Sequence, residues 1–289
     1  RGLLKNGNAG RRIVKRILVV GSKGMLGYAV SEYFSREGYN VIGLSREVFD
    51  IAKDSHADLR RYLSDGDVDV VVNCAGVIKP TIAGNSFEDI LRINAIFPRN
   101  LGRLCAEHGV QCFHITTDCV YSGKKGNYTE SDLYDADDVY GMSKNAGETA
   151  DCMILRTSII GEEKAQSRSL LEWVRSHAGK EVNGFTNHEW NGVTTVYLAE
   201  LIETIHTLNL YQKGIFHLHS PDTVSKFELL TLINKSYELR LRIAPVEATE
   251  IINRTLASRH SLSEQIATKP LSIQIEEMQR FFSSVPVAA

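Results

Sequence analysis

A tyrosine and a lysine lie four residues apart near the middle of the chain, in the segment VYGMSKNAGE that runs from Val139 to Glu148. If this segment is helical, Tyr140 and Lys144 share one face, because residues i and i+4 lie one above the other. An ammonium group stabilises a nearby phenolate and lowers the phenol pKa from its usual value of about 10. The pair is therefore a candidate for proton transfer. Surface helices also carry such pairs by chance. The residues that precede this pair must therefore show whether it belongs to a functional site.

A glycine-rich loop precedes this pair in the chain. The run RILVV, from Arg16 to Val20, is short, apolar and rich in β-branched residues, which predicts a strand covered on both faces. The sequence GSKGMLG follows and leads into a helical pattern. A glycine turn between a strand and a helix lets main-chain N–H groups approach a pyrophosphate. We therefore expect a dinucleotide to bind at Gly21, Lys23, Gly24, Met25, Leu26 and Gly27.

The end of the second predicted strand indicates which nicotinamide cofactor binds. An acidic side chain there favours NAD, whereas an arginine accommodates the 2′-phosphate of NADP. The strand VIGL ends in Ser45 and Arg46, and Lys23 adds a second cation. Glu47 follows directly, and Asp50 lies within reach of the adenosine end. NADP(H) is therefore the expected cofactor, and NAD(H) stays open.

Strand and helix patterns alternate through the first half of the chain, with no repeat or low-complexity segment. This alternation predicts an α/β fold with a doubly wound, Rossmann-type parallel sheet and a smaller C-terminal α/β lobe for the substrate. The final FFSSVPVAA is typical of a frayed end. The predicted organisation is a flexible leader over 1–14, a dinucleotide-binding domain over 15–160, a segment 191–212 that packs back on that domain, and a substrate lobe over 161–190 and 213–289.

Composition narrows the class of partner. The formal net charge of the 289 residues is −2, without a strongly basic field, which argues against nucleic acid as the main partner. The five cysteines include no C-x-x-C pair, and no run of about 18 apolar residues or signal-peptide pattern occurs. We therefore expect a cytoplasmic protein with reduced thiols, no membrane span and a small-molecule ligand.

Five motifs in order give the chain a family resemblance: GSKGMLG, NCAG (Asn73 to Gly76), TTDCVYSG (Thr116 to Gly123), Tyr140-x-x-x-Lys144 and LRTSIIG (Leu155 to Gly161). This set resembles the extended short-chain dehydrogenase/reductase family. Within the family it looks most like the group of dTDP-4-dehydrorhamnose reductase and related nucleotide-sugar 4-keto reductases. The resemblance covers roughly Arg16 to Phe281 and is more specific in the first half.

The resemblance implies a role for each matching residue. Tyr140 would give a proton to a carbonyl oxygen, Lys144 would lower the pKa of Tyr140 and hold the nicotinamide ribose, and Thr117 would hydrogen-bond the carbonyl oxygen. Thr116 points to the other face of its strand. The remaining implied cofactor residues are Asn73, Ala75, Gly76 and Asn94. Besides Thr117, the candidate substrate residues are Asp118, Cys119, Arg168, which could pair a diphosphate, and Trp190, a stacking aromatic in a polar loop.

One departure from the family limits the chemistry. Family dehydratases have Thr-Asp-Glu at this strand end, whereas this chain has Cys119 in place of the glutamate. A thiol with a pKa near 8.5 is a poor carboxylate substitute, so dehydration is disfavoured. His217 and His219 share a strand face without a third ligand nearby, so we expect no metal site.

These observations favour an NADPH-dependent reductase of a nucleotide-linked 4-keto-6-deoxy sugar, serving surface polysaccharide or glycan synthesis. Two alternatives stay open. A nucleotide-sugar 4-epimerase uses the same tyrosine and lysine with tightly bound NAD. The regulatory subunit of methionine adenosyltransferase resembles the same reductases and binds dinucleotide without being an enzyme itself. A homodimer is compatible with either class of enzyme.

Overall fold

A computed structural model describes residues 15–63, 68–164 and 168–284. The leader predicted for residues 1–14 lies outside the described residues. The strands are β1 Arg16–Val20, β2 Asn40–Leu44, β3 Val70–Asn73, β4 Gln111–Thr117, β5 Met153–Thr157, β6 Ile159–Ile160, β7 Glu181–Phe185, β8 His188–Trp190, β9 Val193–Thr194, β10 Gly214–His217, β11 Val224–Ser225, β12 Arg242–Val246 and β13 Ile252–Asn253. The α-helices are α1 Met25–Arg36, α2 Arg60–Leu63, α3 Phe87–Leu91, α4 Phe97–Glu107, α5 Val139–Ala146, α6 Leu170–Ser176, α7 Thr195–Thr207, α8 Lys226–Ser236, α9 Leu262–Ile266 and α10 Leu271–Ser283.

Six parallel strands form the central sheet in the order β2, β1, β3, β4, β5, β10. The predicted doubly wound Rossmann-type sheet is therefore confirmed. The chain moves outward from β1 to β2 and then returns to place β3 on the other side of β1. Ligands bind in such sheets outside the carboxyl ends of the strands, at the point where the strand order reverses. The ends of β1, β3 and β4 thus define where a site is expected.

Helices cover both faces of the sheet, which explains why its strands are apolar in continuous runs. On one face α1 and α7 pack together over the sheet, with Val30, Phe34, Leu198 and Ile202 fully buried. On the other face α4 contributes buried Phe97 among its core residues. This double cover holds the strand ends, and the loops that follow them, in fixed positions.

A smaller lobe is built from short sheets and helices of the second half. Its sheets pair β11 and β13 with β8, and β12 with β7, and its core includes buried side chains from α6, α8 and α10. One strand differs from the predicted organisation: β10, which was predicted to belong to the lobe, pairs with β5 in the central sheet. Within the end predicted to fray, Phe282 belongs to α10 and stacks on Tyr28 with ring centroids 5.5 Å apart, and residues 285–289 lie outside the described residues.

Candidate active site

The glycine loop forms a tight turn between β1 and α1. Gly21 has a φ of +78°, and its N–H donates to the Leu44 carbonyl over 2.8 Å. The twelve-residue helix α1 begins after Gly24, which provides no side-chain cap, and its first turn carries no acidic residue. The N–H groups at this helix end can therefore serve an anionic ligand, so the loop fits the pyrophosphate of a dinucleotide.

Gly27 is the loop position where a side chain fits least. A Cβ at Gly27 would lie 2.1 Å from the Gly21 oxygen. Gly27→Ala should therefore displace the loop and weaken dinucleotide binding by about tenfold or more, since overpacking costs about 1–3 kcal/mol. Titration of cofactor fluorescence measures the loss. Gly84→Ala is the matched control, because a Cβ there meets no atom within 4 Å. Wild-type affinity in Gly27→Ala would contradict this account of the loop.

The predicted adenosine end contains an ion pair that involves one of the two predicted cations. Lys23 lies 3.1 Å from the Glu47 carboxylate, which also accepts a hydrogen bond from buried Ser45. The Ser45 hydroxyl, a main-chain hydrogen bond and Lys23 together lower the pKa of Glu47 to about 2. Arg46 is exposed and makes no ion pair with any residue that the structure describes. Asp50 accepts the Ala52 N–H over 3.1 Å and so closes its own turn.

Helix α5 carries Tyr140 to the end of β4. Asp138 caps this helix by accepting the Gly141 N–H over 2.7 Å. A Cβ at Gly141 would lie 2.3 Å from the Cys119 oxygen, so glycine is what allows the helix to pack directly on the turn that follows Thr117. The Tyr140 phenol is thereby brought close enough to the Thr117 hydroxyl for that hydroxyl to lower its pKa, while the same hydroxyl donates to Asp118 over 3.1 Å. The structure thus places Tyr140 and Thr117 close together, as the resemblance implied.

Lys144 follows one turn later and is almost completely buried. Its side chain is 5% exposed, and its Nζ donates to the Ile115 carbonyl over 3.0 Å. Burial lowers the pKa of Lys144 to about 8, against the opposing influence of the Glu148 and Cys74 side chains. Lys144 also lies against the NCAG loop, since a Cβ at Gly76 would be 3.6 Å from Nζ. The ammonium therefore sits between α5 and the ends of β3 and β4.

The pKa of Tyr140 differs from the sequence expectation. Burial raises it above the ordinary value, and the Cys119, Asp118 and Asp138 side chains add to the increase. The Thr117 hydroxyl opposes this shift. The chain's own residues therefore keep Tyr140 protonated at neutral pH, rather than lowering its pKa as the resemblance implied.

Two predicted cofactor residues turn out to hold the loop after β3. Asn94 is fully buried in a π-helical turn, Arg92–Ile96, and exchanges hydrogen bonds with the main chain of Val77 over 2.8 and 3.0 Å. Asn73 accepts the Ala75 N–H over 3.1 Å. Both amides thus fix the main chain of the NCAG loop beside Lys144. Their contact with a cofactor stays a prediction.

The candidate substrate residues divide into those at the site and those away from it. Asp118 and Cys119 lie next to Thr117, and burial raises both of their pKa values, that of Cys119 to about 12. A thiol with that pKa is neutral at physiological pH, in keeping with its predicted inability to act as a base. Arg168 is exposed, and its main-chain N–H donates to Glu163 over 2.7 Å. The structure gives it no contact with the residues around Tyr140.

Trp190 lies in a strand and is buried, whereas the sequence predicted a stacking aromatic in a polar loop. It ends β8 and is 5% exposed, and its Nε1 donates to the Ser158 hydroxyl over 2.8 Å. The Lys226 ammonium lies 5.4 Å from the centre of its ring. Trp190 therefore packs within the lobe and presents its ring to a cation.

A buried ionic network behind Lys144 was missed entirely. Arg156 is fully buried and forms two hydrogen bonds with the Glu148 carboxylate, over 3.1 and 2.6 Å. Its third nitrogen, Nη1, donates to the Tyr121 hydroxyl over 2.7 Å and to His217 Nε2 over 2.9 Å. Thr116 donates to the same Glu148 carboxylate over 2.9 Å. An arginine in the otherwise apolar strand MILRT was the feature that could have predicted this network, since buried charges need partners.

Comparisons with known proteins agree with this geometry. The Rossmann-type sheet, the glycine loop and the Thr117, Tyr140 and Lys144 constellation define an extended short-chain dehydrogenase/reductase. Residues 15–281 match the family model described as RmlD substrate binding domain. The chain belongs to this family, and the resemblance inferred from its motifs is confirmed.

Individual relatives are similar over different lengths. The chain is 27% identical over 277 residues to the spore coat polysaccharide biosynthesis protein SpsK of Bacillus subtilis, covering 90% of this chain and 92% of that protein. It is 31% identical over 158 residues to dTDP-4-dehydrorhamnose reductase of Mycolicibacterium smegmatis, covering 50% and 46%. It is also 23% identical over 244 residues to methionine adenosyltransferase 2 subunit beta of Pongo abelii, covering 78% and 73%.

A solved structure shares the fold. The dTDP-4-dehydrorhamnose reductase of Bacillus anthracis, determined in complex with NADP, has a TM-score of 0.77 and 20% sequence identity. The alignment covers 94% of this chain and all of that one.

Proposed function

We propose that this chain is an NAD(P)-dependent oxidoreductase that uses NADPH to reduce the 4-keto group of a nucleotide-linked 4-keto-6-deoxy sugar. The observation that carries the proposal is the meeting of Thr117, Tyr140 and Lys144 at the carboxyl end of β4, beside the glycine loop. The names of the relatives support a role in polysaccharide or glycan synthesis.

The chain's own residues would divide the work around a bound carbonyl group. A nicotinamide cofactor, when bound by the glycine loop and Lys144, supplies the hydride. The Thr117 hydroxyl donates a hydrogen bond to the carbonyl oxygen and orients it. The Tyr140 hydroxyl gives its proton to the same oxygen as negative charge develops there. Lys144, held by the Ile115 carbonyl, supplies positive charge on the cofactor side of Tyr140.

The protonation state of Tyr140 favours reduction over epimerisation. A reductase begins with a protonated phenol, because its first step gives a proton to the substrate oxygen. A 4-epimerase begins by removing a proton from a hydroxyl and therefore needs Tyr140 in its basic form. Burial and the acidic neighbours raise the pKa of Tyr140, which supports the first class of reaction.

The direct test is the loss of NADPH absorbance when purified protein is offered a panel of nucleotide-linked 4-keto-6-deoxy sugars, with NADH run alongside. We expect oxidation that depends on one sugar and is faster with NADPH. An absence of oxidation across the panel, in a protein that still binds NADPH, would contradict the proposed reductase.

The pH dependence of kcat/KM for NADPH should report the ionisation of Lys144. Its pKa in the folded chain is about 8, below the ordinary 10.5, so its charge is lost as the pH rises through 8. We expect kcat/KM for NADPH to fall above about pH 8 with the slope of one proton, because this parameter reports groups of the free enzyme. Arginine at position 144 keeps its charge at this pH. The Lys144→Arg variant should therefore show no fall in kcat/KM above about pH 8, whatever its maximal rate. A decline at the same pH in Lys144→Arg would assign it to another group.

Arg46 should determine the preference for NADPH. Because Lys23 is paired with Glu47, Arg46 is the cation at the end of β2 without such a partner among the described residues. Arg46→Ala should weaken NADPH binding by about tenfold or more, the range for a lost hydrogen bond to a charged group, and NADH binding far less. Arg103→Ala, an exposed arginine on α4, is the control. Equal losses for the two cofactors would remove the case for a 2′-phosphate site.

A second candidate rests on the relative that is a subunit of another enzyme. A dinucleotide-binding subunit of an adenosyltransferase would bind NADPH, reduce no sugar and form a stable complex with a catalytic partner. The sugar panel separates it from the reductase, because only the reductase oxidises NADPH when a sugar is added.

A further inference from the structure

A lysine from the loop after β3 lies against the ring of Tyr140 and has no part in the proton transfer described above. Lys79 begins a 3₁₀-helical turn, Lys79–Gly84, that follows the NCAG loop. Its ammonium lies 5.9 Å from the centre of the Tyr140 ring, within the range in which a cation interacts with an aromatic side chain. Lys79 therefore reaches Tyr140 from a different element than Lys144, which lies on the same helix as Tyr140.

The same ammonium pairs with the carboxylate that caps α5. Lys79 Nζ lies 2.7 Å from Asp138 Oδ2, while Asp138 Oδ1 accepts the Gly141 N–H over 2.7 Å. The two carboxylate oxygens thus have separate partners, one in α5 and one in the loop after β3. Although burial opposes the shift, the Gly141 N–H and Lys79 lower the pKa of Asp138. Asp138 is therefore ionised at neutral pH.

The charge of Asp138 opposes the reaction that Tyr140 would perform. A phenol that donates its proton becomes an anion, and a nearby carboxylate destabilises that anion. Burial raises the pKa of Tyr140, and Asp138 is one of the acidic neighbours that add to the increase. The carboxylate is nevertheless needed as the cap of α5. A cation that lies beside both Asp138 and the Tyr140 ring offsets this charge and leaves the cap in place.

We propose that Lys79 is a positioning residue for Tyr140, which compensates the charge of Asp138 and so assists the phenol in giving its proton to the substrate oxygen. This inference rests on the proposed function, because it concerns the same proton transfer. Lys79 acts through its two neighbours and donates no proton itself. The Lys79 and Asp138 side chains are 44% and 42% exposed, so water and salt weaken their interaction. The expected effect is therefore smaller than that of losing Tyr140.

Single-turnover oxidation of NADPH by the full chain, with the sugar that the panel identifies, tests this role. Lys79→Met should slow the reaction about tenfold with unchanged affinity for NADPH, within the range for a cation removed from an aromatic ring. Lys79→Arg keeps the charge and should stay within about threefold of wild type. Asp138→Asn should react at least as fast as wild type, because asparagine is an equally good helix cap and carries no charge.

A double variant separates charge compensation from a simple tether between the loop and α5. Lys79→Met combined with Asp138→Asn should regain most of the rate lost in Lys79→Met, because no uncompensated carboxylate is left beside the phenol. Lys125→Met is the matched control. Lys125 lies 5.8 Å from the centre of the Tyr128 ring and pairs with Asp132, which is the same arrangement around another tyrosine. This control should keep full turnover.

The outcomes separate the role of Lys79 from the proposed function. Wild-type turnover in Lys79→Met would overturn the role of Lys79 and leave the reductase standing. A loss in Asp138→Asn as large as that in Lys79→Met, or a double variant as slow as Lys79→Met, would also overturn charge compensation. If wild type oxidises NADPH with no sugar in the panel, the proposed function fails and the role of Lys79 fails with it. Unchanged NADPH binding by each variant verifies its fold.

Discussion

Replacing Tyr140 by phenylalanine should reduce kcat by about 10²–10⁴-fold, the usual contribution of a positioned general acid. The loss is expected because Tyr140 is the protonated group beside Thr117, and no other phenol is brought to the end of β4 by α5. Phenylalanine keeps the aromatic ring beside Lys79, whose ammonium lies 5.9 Å from the ring centre, so packing changes little. Single-turnover oxidation of NADPH in the presence of the sugar measures the effect.

Cofactor binding distinguishes a lost proton donor from a damaged site. Tyr140→Phe should bind NADPH with an affinity close to that of wild type, because Lys144 and the glycine loop are unchanged. Tyr62→Phe, which removes a hydroxyl from α2 outside the site, should keep full turnover. Near-normal turnover in Tyr140→Phe would exclude Tyr140 as the acid, whereas a parallel loss of NADPH binding would assign it to cofactor binding instead.

Local patterns predicted the parts of the site that come from single segments. The run RILVV became β1, and the glycine loop after it became the turn into α1, because a β-branched apolar run and a glycine turn each specify their own conformation. The i, i+4 spacing placed Tyr140 and Lys144 on one helix. The partner of Tyr140 came from the family motif, since nothing in the spacing of residues 117 and 140 brings them together.

Features that depend on long-range packing could not be predicted in this way. The segment of β10 is short and could belong to the central sheet or to the smaller lobe. Its pairing with β5 assigns it to the central sheet. The pKa of Tyr140 depends on burial and on Asp118 and Asp138, which the sequence does not place beside the phenol. Arg254 donates to the Tyr121 carbonyl from more than a hundred residues further along the chain, so no local pattern could predict this contact.

Substitution of Arg156 should cause a large loss in the free energy of unfolding. Arg156→Met removes two hydrogen bonds from the buried Glu148 carboxylate and leaves it the Thr116 hydroxyl as its side-chain donor among the described residues. Removing one partner of a buried pair costs about 3–5 kcal/mol, because the other charge stays out of water unpaired. Urea unfolding at neutral pH, compared at constant m, measures this loss in the free energy of unfolding. Lys269→Met is the control, since Lys269 pairs with Glu200 and Glu277 while 30% exposed and should cost about 1 kcal/mol or less.

A double-mutant cycle then separates the charge pair from simple loss of packing. Glu148→Leu combined with Arg156→Met removes both charges, so the double variant should be more stable than the sum of the two single losses predicts, by about 2 kcal/mol. Additive losses would mean that Glu148 and Arg156 act independently, against the bidentate geometry. The same carboxylate raises the pKa of Lys144. Glu148→Gln should therefore move the alkaline decline in kcat/KM to a lower pH, which a purely structural role for the pair would leave unchanged.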